Sequence, residues 1–342
     1  MKKLIFTFFS TLLMFGITST GYAKEVKYLP YAEVGDLSEG LAQYYVPGDD
    51  KSGFINVNGQ IVIKALYDEV CDFKEGLAAV RIGDKWGYID KSGKVIVKPQ
   101  FDAVAFSFSE GFAQVEKNNK WGYIDKSGKI VIPTIYEDTN SFSEGLAHVK
   151  NNGKYGFINK SGKVIIKPQY EKVWGFFEGL APVKINGKWG FIDKNSKQVI
   201  TPQYQDVHVY NAGLAGVKSN GKWGFIDKKG KQIIKSKYDT VYGFDEGLAP
   251  VQIKGKWGFI NKTGNEVIKL KYNEVYSFSE GLAYVNTING QGGYIDKNDK
   301  EVIKFKDDFS GYSFNNGVAV VADGGQGYYY FITNPLPVSK RK

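Results

Sequence analysis

The chain has a single cysteine, Cys71, and only two histidines, His148 and His208, in 342 residues. One thiol cannot build a disulfide framework, and so few imidazoles and thiols rule out a zinc ribbon or any chemistry that clusters imidazoles. Long apolar runs are also scarce. The one apolar stretch, Leu4–Ile17, is interrupted by Thr7, Ser10 and Thr11 and falls short of the ~20 residues a membrane helix needs. It follows Met1-Lys2-Lys3, and small Gly21 and Ala23 come after it, the pattern of a secretory signal cleaved between Ala23 and Lys24. Residues 1–23 are therefore expected to be a signal peptide, and the protein to be exported, periplasmic or secreted. No integral membrane segment is expected after cleavage.

Export bears on the charge. The precursor has a formal net charge of +9, and the chain without Lys2 and Lys3 keeps +7. A basic domain can mark a nucleic-acid binder, but an exported one rarely meets nucleic acid. An envelope polysaccharide, another anionic envelope polymer or another exported protein is the expected partner. A lone cysteine also fits an oxidising compartment.

Glycine and aromatics are abundant: 41 Gly, 23 Phe and 23 Tyr. They recur with a period of 34–36 residues. One copy reads Glu178-Gly-Leu-Ala-Pro-Val-Lys-Ile-Asn-Gly-Lys-Trp-Gly-Phe-Ile-Asp193, then Lys194-Asn-Ser-Lys-Gln-Val-Ile-Thr-Pro-Gln-Tyr204. Nine copies fill residues 24–334 and leave a short basic tail, 335–342. Within a copy Ala181, Val183 and Ile185 alternate, which is strand periodicity. Asn186-Gly187 supplies a two-residue hairpin turn, and Asp90-Lys-Ser-Gly-Lys94 a longer turn closed by a left-handed Gly. Pro99 or Pro168 is expected to end the third strand by removing a ladder donor. The unit is thus a three-stranded antiparallel meander, and the fold all-β.

The Lys-Trp-Gly-Phe/Tyr-Ile-Asp/Asn-Lys-Ser-Gly-Lys run, followed by Ile-Lys-Pro-Gln-Tyr, resembles the WG-repeat family of tandem bacterial repeats. The resemblance implies a repeat protein, of a family that is frequently exported and usually without an assigned activity. Ser52, Gly292 and Gln326 replace the Trp in copies near the two ends, and Tyr155 replaces it in one interior copy. A 34-residue, three-stranded unit repeated nine times is expected to stack as an open superhelical β-solenoid with end copies as caps. The alternative is a closed, propeller-like array.

The Trp side chains are expected to pack on the next unit, because the Gly beside them is present in all nine copies and the Trp in five. The repeated Glu of Glu-Gly-Leu-Ala is expected to serve its turn, since one environment repeated seven times is no acid–base pair. The Asp-Lys-Ser-Gly turns lack the ligand pattern of a calcium loop. No nucleophile motif lies near either histidine, and no phosphate-cradling loop is present. Asp307 and Asp308, where the repeat breaks down, are the only acids that could support local chemistry. The expected protein is a non-enzymatic binding scaffold of the cell envelope, without cofactor or metal.

Two sets of residues are candidates for binding. Lys120, Lys154, Lys188, Lys222 and Lys256 precede the aromatic in successive copies and would form a positive rail for an anionic polymer, glycan first. One column varies while its flanks do not, and it holds Cys71, Asn140, Trp174, His208, Tyr242 and Tyr276. Trp174, His208, Tyr242 and Tyr276 are expected to form a contiguous recognition stripe. A scaffold that instead holds another protein is the alternative function.

Overall fold

The computed structural model describes residues 17–19, 26–29, 33–105, 107–287, 289–305, 309–324 and 328–341. Most of the expected signal peptide, its cleavage point, Gln326, Asp307 and Asp308 lie outside the described residues. Among the described residues there are nine antiparallel sheets, each with at least four strands. Blades 1 to 8 cover 33–67, 69–101, 103–136, 138–170, 172–204, 206–238, 240–272 and 274–305 in order. Blade 9 covers 309–333 and takes its fourth strand from Val26–Leu29.

Each blade follows from its sequence. In blade 5 a two-residue strand, Lys172–Val173, precedes Ala181–Ile185, Lys188–Ile192 and Gln198–Tyr204. Asn186 and Gly187 both have φ > 0, as the two-residue hairpin requires. In the longer turn of blade 2 the Asp90 carboxylate accepts from the Ser92 and Lys94 amides, and Gly93 sits at φ 83°. Both expected turns are present.

The Trp-Gly glycine answers to a close approach. A Cβ on Gly190 would lie 2.4 Å from the Ile200 carbonyl oxygen, and Gly87 and Gly258 meet the equivalent carbonyl at 2.3 and 2.5 Å. The third strand and the outer strand cross there with a register shift, between Trp189↔Tyr204 and Phe191↔Ile200. No side chain fits between them.

Three expectations are corrected. The unit has four strands, because a two-residue strand, too short for any periodicity, precedes the meander. Pro99 and Pro168 do not end a strand; they lie within Val95–Phe101 and Val164–Tyr170. These strands are outer edges, where a missing donor costs nothing. Finally, the array is not an open solenoid. Nine blades would have eight junctions in an open row, but among the described residues there are nine buried clusters, each shared by two blades. The ninth joins Val34, Leu37, Ala42 and Ile55 of blade 1 to Val320 and Phe331 of blade 9. Val26–Leu29 pairs with the third strand of blade 9, from Val26↔Ile332 to Leu29↔Tyr329. Asn315 Nδ2 also donates to the Leu37 carbonyl at 2.8 Å. The molecule is a nine-bladed β-propeller, the closed alternative to the expected open row. The Trp-less end copies meet each other at the ring's seam instead of acting as caps.

Candidate binding surface

At most junctions one blade grips the next through its Glu-Gly turn. Glu39 and Gly40 both have φ > 0 (51° and 87°), forming a tight turn closed by reciprocal Ser38 and Leu41 backbone bonds. That turn aims the Glu39 carboxylate at the next blade, where it accepts from the Gly76 amide at 3.1 Å and pairs with Lys91 at 2.9 Å. The same clasp recurs as Glu75–Lys126, Glu110–Lys160, Glu144–Lys194, Glu178–Lys228 and Glu246–Lys297. Partial burial works against charge on Glu39, Glu110 and Glu178. The bonds from lysine and from the glycine amide outweigh it and lower these pKa values. The repeated Glu thus braces the turn of the next blade and not its own, so its expected role is corrected to a link between blades, which no local pattern announces.

The candidate rail is not uniform. Lys222 is paired with Asp239, and Lys256 donates to Asn273 at 2.8 Å. Lys120, Lys154 and Lys188, on blades 3 to 5, are exposed and make no ion pair among the described residues.

Three WG indoles, Trp189, Trp223 and Trp257, are buried in clusters that reach the following blade. The variable column covers them. Trp174 stacks on Trp189 (6.4 Å, 18°), His208 on Trp223 (4.3 Å, 29°) and Tyr242 on Trp257 (5.2 Å, 9°). Where the column is the small Cys71, Trp86 stays half-buried. Tyr276 meets Tyr284 instead (5.6 Å), because blade 8 has Gly292 in place of Trp. The Tyr284 ring lies where a Gly292 side chain would start.

Column residues directly follow the two-residue strands. The amides of Trp174, His208, Tyr242 and Tyr276 bond to the second strand at Pro182, Gly216, Pro250 and Tyr284. The two-residue strand is the inner one, since the closing strand of blade 9 occupies the opposite edge. The packing agrees: Asp36 and Leu37 of blade 1 line one cavity with Ser279 of blade 8, on the far side of blade 9, as convergence toward an axis requires. The structure therefore places the four predicted stripe residues on blades 5 to 8, at one register of consecutive inner strands. Trp174 is 53% exposed, Tyr242 48% and Tyr276 37%, while His208 is half-buried. One ring face covers the blade and the rest is open.

Cys71 and the two histidines are turned to packing. Burial, then Glu69 and Asp72, push the Cys71 thiol up to about 12, so it stays protonated and inert. His208 is lowered by burial against the pull of Asp206. His148, in the second strand of blade 4, is lowered by burial to about 4, which Asp138 only partly opposes. Among the described residues no group of three or more His, Cys, Asp or Glu could hold a metal ion, and no helix is long and apolar enough to cross a membrane.

The family described as WG containing repeat matches eight consecutive segments from 53–86 to 293–326. The chain belongs to the WG-repeat family. No curated protein matches it in sequence. Among solved structures, a eukaryotic initiation factor is similar over 89% of this chain and 94% of its own, with TM-score 0.63 and 12% identity. The WD40 domain of SCAP from fission yeast is covered to 99% by 92% of this chain, with TM-score 0.45 and 9% identity. BamB from Moraxella catarrhalis gives TM-score 0.43 at 10% identity, over 93% of this chain and 99% of that one. The first of these likenesses supports the fold alone, and the other two are too distant to add to it. The WG name now has a physical content: the indole seals a blade junction and the glycine lets the outer strand cross.

Proposed function

We propose that this WG-repeat propeller is an exported, non-enzymatic interaction scaffold that holds a protein partner at its inner rim. One observation carries the reading: Trp174, His208, Tyr242 and Tyr276 occupy the same register of four consecutive blades, and three of them keep large exposed ring surfaces. Open aromatic surface at a rigid rim is what interfaces use as anchors. A rigid backbone with a variable column also lets the rim change while the blades do not.

The test is capture of envelope and extracellular proteins by the chain without residues 1–23, beside a Trp174→Ala/Tyr242→Ala variant. A defined partner retained by the first and lost at least tenfold by the second supports the reading. Equal capture by both removes it. A second reading, an anionic envelope polymer or glycan, is favoured by Lys120, Lys154 and Lys188, which stand exposed on neighbouring blades. Such binding would survive loss of the two rings and fall steeply with salt.

A further inference from the structure

The rim is not electrically uniform, although the whole chain is basic. In blades 2, 4 and 6 the first residue of the inner strand is acidic, but a base faces it across the ladder: Glu69↔Arg81, Asp138↔Lys150 and Asp206↔Lys218. Arg81 and Glu69 form an ion pair at 3.2 Å. In blade 5 both residues are basic, Lys172↔Lys184. Around the ring's seam the pattern changes. Glu274 of blade 8 faces Asn286, and Glu33 of blade 1 faces Tyr45. Both carboxylates are exposed. Asp36, just past the inner strand of blade 1, is also exposed and lines a cavity with Ser279 of blade 8 and Ser313 of blade 9. Glu274 lies two residues before Tyr276 in the same extended segment, and Tyr312 holds the same register in blade 9, its amide donating to the Val320 carbonyl at 3.0 Å.

Blades 7, 8, 9 and 1 thus present Tyr242, Tyr276 and Tyr312 with unopposed carboxylates among them. Ring faces attract cations through their quadrupole, and a nearby carboxylate adds Coulomb attraction to the same group. An anion would meet repulsion from the acids and, among the described residues, no base across the ladder from Glu33 or Glu274.

We infer that the seam side of the rim, at Tyr242, Tyr276, Asp36 and Glu274, binds lysine or arginine side chains of an extended segment of a partner protein. The inference rests on the inner rim being the interaction surface and names the chemistry it selects. The net positive charge of the chain repels such a segment at long range, so selection acts at contact distance and not in steering.

The test measures binding of three synthetic ten-residue peptides, alternating Gly with Lys, with Glu or with Ser, to the chain without residues 1–23, by tryptophan and tyrosine fluorescence. The Lys peptide should bind at least tenfold more tightly than the other two. It should weaken at least tenfold in Asp36→Asn/Glu274→Gln, which leaves the rings in place, and weaken likewise in 0.5 M salt. Equal binding of the Lys and Ser peptides, tighter binding of the Glu peptide, or Lys-peptide binding unmoved by the double variant would each overturn it. If the double variant does not fold, a salt titration of the unaltered chain decides the same question. Loss of the cation preference with partner capture still dependent on Trp174 and Tyr242 would overturn this inference alone. Capture independent of those rings would overturn the scaffold reading itself.

Discussion

Gly190 shows how one atom can decide a fold. Its missing Cβ lets the outer strand cross 2.4 Å from where that atom would sit, against a backbone carbonyl that has no freedom to move aside. Gly190→Ala should therefore destabilise the propeller by about 3 kcal/mol, read as a drop in the denaturant midpoint. His148 makes a second residue-scale prediction. Its Nδ1 is buried without a hydrogen-bond partner, and its ring meets Tyr155 and Phe157 edge-on. The folded state holds its pKa at about 4, against 6.5 for the free side chain. The folded pKa is depressed, so the stability it contributes is complete above pH 6.5 and is lost as the pH falls toward 4. The loss is on the order of 3 kcal/mol. In His148→Phe the stability profile between pH 6.5 and 4 should be flatter by that amount in urea titrations.

At the scale of the blade, stability is shared between apolar junctions and the Glu–Lys clasps. The chain contains its own control. Ala212 replaces the clasp Glu in blade 6 but keeps its left-handed backbone, with φ 54°, so Gly247 and Lys262 of blade 7 are left without that carboxylate. Ala212→Glu should restore the clasp and stabilise the protein by about 0.5–1 kcal/mol, since such pairs are partly exposed. Thermal melts at low and high salt would check it: the gain should shrink with salt. Glu178→Ala should cost about 1 kcal/mol or slightly more, because the Gly213 amide also loses its acceptor. The lowered pKa values of Glu39, Glu110 and Glu178 give these clasps a sign with pH. Their contribution is complete above the ordinary carboxylate range and is lost as the pH falls below about 4.5.

At the scale of the molecule the decisive fact is closure. A closed ring has a ninth junction, in which Val320 and Phe331 pack with Val34 and Leu37. The radius of gyration from X-ray scattering should therefore lie near ~20 Å, that of a compact body of this length, and not at the larger value of an extended array. Removing residues 309–342 takes away two junctions at once, and the remaining eight blades should lose cooperative unfolding by calorimetry. How much of this was legible follows from range. The hairpin turns, the strand alternation and the demand for Gly beside the Trp are local, and any one copy displays them. The shared register of Trp174, His208, Tyr242 and Tyr276 was legible as a variable column because its flanks repeat. The inner strand was not, because two residues such as Lys172 and Val173 carry no period. The clasp was not, because Glu39 and Lys91 lie 52 residues apart and nothing local joins them. The uneven charge of the rim was invisible for the same reason: Asp36 and Ser279 come to one cavity only around the axis.

By itself the sequence determined that the chain is all-β, that one unit is written nine times, and that glycine, not tryptophan, is the position each unit cannot change. Backbone sterics and strand periodicity act within a few residues, so they are complete inside a single unit. Whether the nine units end or meet was decided by tertiary structure alone. Closure depends on a small wedge angle accumulated over nine junctions, and no single copy carries that sum.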